Sequence, residues 1–556
     1  MKKRARRETA TAVVETIPSP APWRRFEALV NAHARWLALS LIALASLRIA
    51  DTYRTLSYTV DEPAHLACGM EWLDLHTYTL EPQHPPLARV MTAVLPRLFG
   101  SRSQKLKDLW PEGLAILSAG NRLERTLTLS RLGILPFFWL ACWLAFAWTK
   151  RVAGAAAAVV AVFLLTMTPT VLAHAGLATT DMPLTAMLLL SVYHGWLWVL
   201  DPSGRRSVYF GATIGLAVIT KFSALAFLPS TGVAALSLWM WLERPAFRQL
   251  LALAARRAVP LAFALATAIL TVWAAYRFSF GKSVMFSIRV PAPEFFNGID
   301  QVRLHNASGH MTYLMGQVNT IGWPQFYAVA LGVKTPLLVL ALGLAGLWLL
   351  LRGKQLRDYL LPGTVLGILV FSSFFTNIRI GTRHVLPVFV VLAMSGGVAV
   401  QWLLHRFDVS MARIGLALLG GALAVSSFAA HPDYLGYFNL IATSKPQAFL
   451  VDSDLDWGQD VKRLGEKLQA LGASEVYFNQ FAPGDLQKLY GFPAIHPLDV
   501  NGPRPGWNAV SLTALKYGIF PEGRYAYDRG FEFWPDRLAG ERIGSGILLF
   551  YGPPAR

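Results

Sequence analysis

Two cysteines, Cys68 and Cys142, stand in a chain of 556 residues. They exclude a disulfide framework and a four-cysteine metal site, and they leave the redox compartment unreadable. Charge is also scarce. Asp, Glu, Lys and Arg make up 15% of the chain, against roughly 25% in an average soluble domain. Acids are the scarcer sign: 33 Asp and Glu stand against 51 Lys and Arg, for a net charge of +18. No apolar run follows closely on the basic start MKKRARR, so the pattern of a secretory signal is missing. No repeat of fixed period is found. What is plentiful is apolar: 54% hydrophobic residues and a mean hydropathy of +0.41. These values exclude a disordered or ordinary cytosolic protein and point to a polytopic membrane protein.

Charge-poor runs recur along the chain, and a bilayer core takes about 20 apolar residues per helix. They predict eleven spans, near 36–53, 127–149, 153–172, 182–200, 207–221, 223–242, 258–279, 324–351, 359–376, 384–404 and 411–430. The first and fifth are short, and Arg35 and Arg48 flank the first. Charge orients the plan. With the N-terminus inside, the cytoplasmic segments hold 21 Lys and Arg, against 13 in outside loops nearly twice as long in total. That is the positive-inside asymmetry. It accounts for the basic balance without nucleic acid, and the odd count puts the C-terminus outside.

Three parts follow: a basic cytoplasmic tail, 1–35; a transmembrane part, 36–430; and an outside domain, 431–556. Two outer loops, 51–126 and 280–322, are large. Residues 84–99 have the pattern of an amphipathic helix lying at the interface. After 430 charge returns, with 12 basic and 14 acidic residues. A helix near 459–471 and strands near 475–479, 508–513 and 545–551 predict a small α/β domain.

Acids at the outer face carry the first chemistry. Asp61 and Glu62 follow the first span, ahead of Pro63. One reading is helix capping. The other is a carboxylate that accepts a proton from a hydroxyl nucleophile. Glu62 and His65, at i and i+3, also allow a divalent-metal reading. Asp181, before Met182-Pro183, is the one Asp, Glu, Lys or Arg between Arg151 and Asp201. It either caps a helix or joins Asp61 in one site.

Cations at membrane depth carry the second. Lys334 falls inside the eighth span, roughly 15 Å along the helix at 1.5 Å per residue, and a cation there is costly without a function. Lys221, Arg131, Arg379, Arg383 and His384 fall at the same outer side, and His84 opens the interfacial helix. Arginine forks and lysine point charges suit a phosphate. Interface anchoring and snorkelling are the rival explanations.

Other signals lead elsewhere. The run Asp452-Ser453-Asp454-Leu455-Asp456-Trp457-Gly458 resembles the start of a calcium loop, but Trp457 and Arg463 stand where Gly and Glu are required. Its acids suit capping of the following helix, or a partner. Asn306-Ala307-Ser308 fits a glycosylation pattern. Gly211 and Gly215 form a GxxxG that helix packing explains.

Taken together, several short motifs resemble a known family. They are Asp61-Glu62, His84-Pro85-Pro86-Leu87, Thr180-Asp181, Thr220-Lys221, Gly309-His310 with Tyr313 to Gly316, Lys334-Thr335-Pro336, Arg383 to Pro387, and Asp452 to Asp460. Their order is similar to that of the bacterial phospholipid-carrier-dependent glycosyltransferases. These are relatives of the dolichyl-phosphate-mannose protein mannosyltransferases (glycosyltransferase family 39) and of the aminoarabinose transferases that modify lipid A. The resemblance implies a GT-C fold: an all-α polytopic bundle of about eleven helices, here with the small C-terminal α/β domain. It implies inverting transfer of a sugar from a polyprenyl-phosphate donor to a hydroxyl or phosphate of a glycolipid, protein or polymer, outside the bacterial inner membrane. On that resemblance Asp61 is the catalytic base, with Glu62 and Asp181 positioning it or the acceptor. His84, Lys221, Lys334, Arg379, Arg383, His384 and Arg131 are the donor-phosphate candidates. No cofactor is required, and a divalent ion at Glu62 and His65 is the alternative. The position before Pro-Pro is often Lys in the aminoarabinose group, and here it is His84. The rival functions are a transporter or lipid flippase, and a membrane scaffold with a partner-binding domain.

Overall fold

The structure, a computed structural model, describes residues 21–406, 410–499, 503–518 and 540–552. Residues 1–20 of the expected basic tail lie outside the described residues. Its remainder is already helical, because one helix, Ala21–Thr52, runs through the charged segment into the first apolar run. The first helix therefore begins at least fifteen residues before the Trp36 start read from hydropathy.

Each predicted span falls on a helix or a broken helix. Among the described residues six helices are long and apolar enough to cross a membrane: Glu27–Thr52, Leu123–Ala153, Asp181–Leu200, Ser223–Glu243, Phe247–Ala275 and Thr382–Arg406. A bent pair, Ala155–Thr166 with Pro169–Ala175, makes a seventh if counted as one span. The apolar helices Leu337–Leu350 and Arg413–Ala429 are shorter. So are Gly204–Val218 and Leu360–Phe374, at 15 residues each.

The breaks have a local cause. Thr168 stands before Pro169 and is extended, and the two halves of that helix meet at 71°. Thr335 stands before Pro336 and is extended too, so Phe326–Lys334 ends there and Leu337–Leu350 begins anew. A residue before proline is pushed out of the helical region, and proline offers no N–H to continue the ladder. Elsewhere the helices pack closely. A Cβ on Gly211 would lie 2.0 Å from the Ala264 carbonyl, so helix Gly204–Val218 requires glycine where it crosses Phe247–Ala275.

Loop 51–126 folds into helices Glu62–Met70, Pro86–Leu98 and Leu109–Ser118. Loop 280–322 holds a hairpin, helix Pro293–Ser308, and a second hairpin pairing Thr312–Leu314 with Gln317–Asn319. The C-terminal region forms a five-stranded mixed sheet. Glu475–Asn479 pairs in parallel with Ala494–His496 and Gly506–Ser511, and Ile547–Gly552 runs antiparallel between Gly506–Ser511 and Glu541–Ile543. Helix Val461–Ala470 packs on it.

Among the described residues this sheet shares its core with loop 51–126. Leu66, Met70 and Ile116 from loop 51–126 share one buried apolar cluster with Leu464, Val476 and Leu549 of the C-terminal region. The loop and the C-terminal domain therefore bury their apolar faces against each other, beside one end of the helical bundle.

Candidate functional site

The site begins with a buried ion pair. Glu62 opens helix Glu62–Met70. Its Oε1 accepts from Arg131 Nε at 2.8 Å and from the Ala178 amide at 2.8 Å. Its Oε2 accepts from Arg131 Nη2 and the Thr59 amide, each at 2.8 Å. Arg131 also donates to the carbonyls of Leu56 and Ser57. Both side chains are fully buried. An ion pair this deep stands because nearly every lone pair and N–H is used. The pair ties loop 51–126 to the turn that precedes Asp181. It leaves Glu62 no lone pair for a metal, and His65 accepts instead from Arg89 Nε at 3.2 Å. The expected Glu62–His65 metal site does not fit this arrangement. Among the described residues no group of three or more His, Cys, Asp or Glu is arranged to hold a metal ion.

Asp61 stands one residue ahead of this brace. Its side chain makes no capping bond to the helix, which separates the two readings of the sequence. Instead Oδ2 accepts from Arg383 Nη1 at 2.8 Å, and the carboxylate is 30% exposed while Arg383 is 8% exposed. Arg383 Nη1 lies 3.8 Å from Asp181 Oδ2, and Lys221 Nζ donates to Asp181 Oδ1 at 2.6 Å. Asp181 makes no capping bond either, and Lys221 is buried rather than snorkelling to an interface. Four residues from four distant segments thus alternate in charge: Asp61, Arg383, Asp181, Lys221. His384 sits within the field of Lys221, Arg383 and Asp181.

His84 flanks this row on the loop side. Its ring meets that of His65 edge-on at 5.5 Å, and Nδ1 lies 3.4 Å from Glu81 Oε2 and 3.3 Å from Arg89 Nη2. Burial and the Arg89 guanidinium hold His65 well below the ordinary histidine range. Burial lowers His84 as well, against the opposing pull of Glu81. Burial pushes Glu81 up, but Arg89 and His84 outweigh it and keep its carboxyl below the ordinary range.

Three expected phosphate cations are engaged otherwise. Arg131 is spent on Glu62. Lys334 Nζ donates to the carbonyls of Leu435 at 2.7 Å and Asp454 at 2.6 Å and lies 4.4 Å over the Phe438 ring. It joins the bundle to the start of the C-terminal region, because the helix break at Thr335-Pro336 points it there. Arg379 donates to the carbonyls of Ser372, Ser373 and Ile321. Arg379 offsets carbonyls at the end of helix Leu360–Phe374, and Lys334 offsets main-chain carbonyls of the C-terminal region, needs that hydropathy does not show.

Three neighbours had no site role assigned from the sequence, although His310 and Asp452 fall within the motifs of the family resemblance. His174 is buried on Pro169–Ala175, within the field of Asp181 and Arg383, and its Nδ1 has no hydrogen-bond partner. Its signal was available: it is the one titratable residue between Arg151 and Asp181. His310, held down to about 4 by burial and by His305 and Arg383, lies within reach of the Asp61 charge. Asp452, pushed up to about 6 by burial against the pull of Arg383, approaches from the C-terminal region. Only tertiary contact places these two beside Arg383 and Asp61. The acids from Asp452 to Asp460 are buried and bonded outward instead of capping the next helix. Asp454 accepts from Thr382 Oγ1 at 2.5 Å, and Asp460 accepts from the amides of Ser545 and Gly546.

Polar atoms left unpaired gather here. They include Asp181 Oδ2, Arg383 Nε, His174 Nδ1 and Thr179 Oγ1. Buried polar atoms are rarely orphaned, and such a cluster beside two cations suits a polar ligand. Asn306 is occupied elsewhere, accepting from Thr376 Oγ1 and the Asn377 amide.

Comparison with known proteins agrees with this architecture. Residues 130–262 match the sequence profile of the dolichyl-phosphate-mannose-protein mannosyltransferase family. No curated protein matches the chain in sequence. ArnT from Cupriavidus metallidurans bound to undecaprenyl phosphate superposes with a TM-score of 0.52 at 14% identity, over 92% of this chain and 97% of that one. Its apo form superposes with 0.51 at 15% identity, over 93% and 98%. The Archaeoglobus fulgidus oligosaccharyltransferase gives 0.42 at 16% identity, over 83% of this chain and 62% of its own, too low a score to bear on the fold.

Proposed function

We propose that this polytopic membrane protein of GT-C fold, whose residues 130–262 match the mannosyltransferase profile, transfers a sugar from a polyprenyl-phosphate donor to an acceptor hydroxyl. The observation that carries the reading is the row Asp61, Arg383, Asp181 and Lys221: an accessible carboxylate joined to buried cations at one end of an apolar bundle. The positive-inside pattern supports placing that end outside the cytoplasm. The donor class is also supported by the undecaprenyl phosphate bound to ArnT.

The chemistry divides between the two ends of the row. Asp61 takes the proton of the acceptor hydroxyl while that oxygen bonds to the anomeric carbon. The bond from that carbon to the phosphate oxygen breaks, and its electron pair leaves on the phosphate. Attack opposite the leaving group inverts the centre. Before reaction Asp61 neutralises Arg383. Once protonated it no longer does, and the guanidinium charge becomes available to the phosphate as that gains its second negative charge. Lys221 completes the cationic side, and the imidazoles of His84 and His384 beside it offer N–H donors. Preorganised charge of this kind is the largest single contribution in many enzymes. Glu62, Arg131 and Asp181 act as positioning residues.

The test is a transfer assay with purified protein and labelled polyprenyl-phosphate sugars, run with a panel of donors and acceptors. Transfer from at least one donor is expected, with loss of about 10²- to 10⁴-fold in Asp61→Asn. Wild-type turnover in that variant would remove Asp61 from its role. Turnover is expected to be insensitive to chelator, and its loss with rescue by a divalent ion would restore a metal to the mechanism.

A further inference from the structure

The mechanism above uses the membrane bundle and loop 51–126. It leaves the segment Asp452–Asp460 without a role, although its acids are deeply buried: Asp452, Asp454, Asp456 and Asp460 are all at most 4% exposed. The segment is fastened on three sides. Asp454 holds the Thr382 hydroxyl and amide, next to Arg383. Asp456 accepts from Ser511 Oγ at the end of strand Gly506–Ser511 and from the Thr513 amide of helix Leu512–Tyr517. Asp460 accepts from the amides of the Ser545–Gly546 turn.

The middle of the segment faces the reaction centre. The Trp457 ring, 2% exposed, lies beneath the Arg383 guanidinium at 4.1 Å from carbon to centroid. The Trp457 carbonyl accepts from the Val60 amide at 3.1 Å. The Gln459 carbonyl accepts from the Ser57 amide at 3.0 Å, and the Gly458 carbonyl from Ser57 Oγ at 2.9 Å. Gly458 has φ +92, a conformation that favours glycine, and it turns successive carbonyls toward the loop. Trp457 therefore touches Arg383 by its ring and, by its main chain, Val60, the residue before Asp61. A guanidinium has two broad faces and an edge. Here the edge is on Asp61 and one face is on an indole, so the side chain is held in plane and in rotation.

We propose that Trp457 is a positioning residue for the transfer, and that through it the C-terminal domain completes the active site by holding Arg383 and the Asp61 loop in register. The proposal rests on the transferase reading for its consequence, but its geometry is testable without it. A Lys or a free Arg at 383 would sweep many rotamers, whereas a stacked Arg383 meets Asp61 in one.

Two variants separate the ring from its bulk. Trp457→Phe keeps an aromatic face, and Trp457→Leu fills part of the space without one. In the transfer assay Trp457→Leu is expected to lower kcat by about tenfold or more with a small change in the acceptor KM, and Trp457→Phe to restore most of that loss. Equal turnover in the two variants, or a loss confined to KM, would overturn the proposal. Hydrogen exchange on the full chain gives the second readout. Exchange over residues 57–61 is expected to rise in Trp457→Leu, to stay near wild type in Trp457→Phe, and to leave strand Gly506–Ser511 unchanged. Unchanged exchange over 57–61 in Trp457→Leu overturns the positioning role whatever the activity. If the wild type transfers from no polyprenyl-phosphate donor, the transferase reading falls, and hydrogen exchange alone decides the positioning.

Discussion

At the scale of single residues, two neighbours in sequence divide two tasks. Asp61 is accessible and answers to Arg383, whereas Glu62 is buried and answers to Arg131. A pair DE cannot be sorted this way by inspection, because both are carboxylates beside a proline. What sorts them is where each side chain points when the helix begins at Glu62. The consequence is a contrast in phenotype. Asp61→Asn is expected to lose turnover while keeping the fold. Arg131→Ala leaves a buried carboxylate without its partner, which costs about 3–5 kcal/mol. A lowered thermal midpoint of the detergent-solubilised protein is the check, and a midpoint equal to wild type would contradict the brace. His174 belongs to the same scale. Its unpaired Nδ1 lies near the row, so His174→Ala is expected to weaken donor affinity by several-fold with the thermal midpoint little changed, as measured by binding of a polyprenyl phosphate. Unaltered affinity would leave His174 as packing alone.

Among the elements, the proline breaks and the acidic segment do the placing. The break at Thr168-Pro169 delivers His174, and the break at Thr335-Pro336 delivers Lys334 to the C-terminal region. Neither consequence shows in a hydropathy profile, which sees only continuous apolar runs. The acidic segment also carries a pH dependence. Burial and the charge of Asp433 push Asp460 up to about 7, against the pull of Arg463. In the unfolded chain an aspartate titrates near about 3.9. Between those values the folded form binds more protons, so this group's contribution to stability is full below the lower value and is lost as pH rises through the upper one. Asp460→Asn is expected to flatten that fall. Thermal midpoints of wild type and variant between pH 4 and pH 8 decide it, and parallel curves would refute the assignment.

For the whole molecule, the loop and the C-terminal domain share one apolar cluster, and the bundle reaches the same region through Lys334 and Thr382. These parts fold as one assembly around the site. Lys334→Met removes two bonds to the carbonyls of Leu435 and Asp454, each about 1.5–3 kcal/mol for a charged donor. Limited proteolysis between residues 431 and 460 is expected to speed up in that variant, and an unchanged cleavage rate would return Lys334 to the list of phosphate-binding candidates.

Much was legible in the chain itself. The apolar runs place the helices, because a helix in lipid must satisfy its own backbone and show apolar side chains to its surroundings. The scarcity of acids made Asp61 and Asp181 stand out, since a lone carboxylate near a membrane is costly without a partner. Lys221 and Arg383 were legible as cations of the same face. Which carboxylate meets which cation was not legible. Asp61 and Arg383 are 322 residues apart, and Arg383 and Trp457 come from different parts of the fold. Pairing of that kind depends on the direction of a side chain after the whole bundle has closed, not on local propensity. The sequence alone therefore determined where the apolar helices lie and which charged residues stand out among them. The tertiary structure decided which of them form the row, which brace it, and that the acidic C-terminal segment lies beneath it.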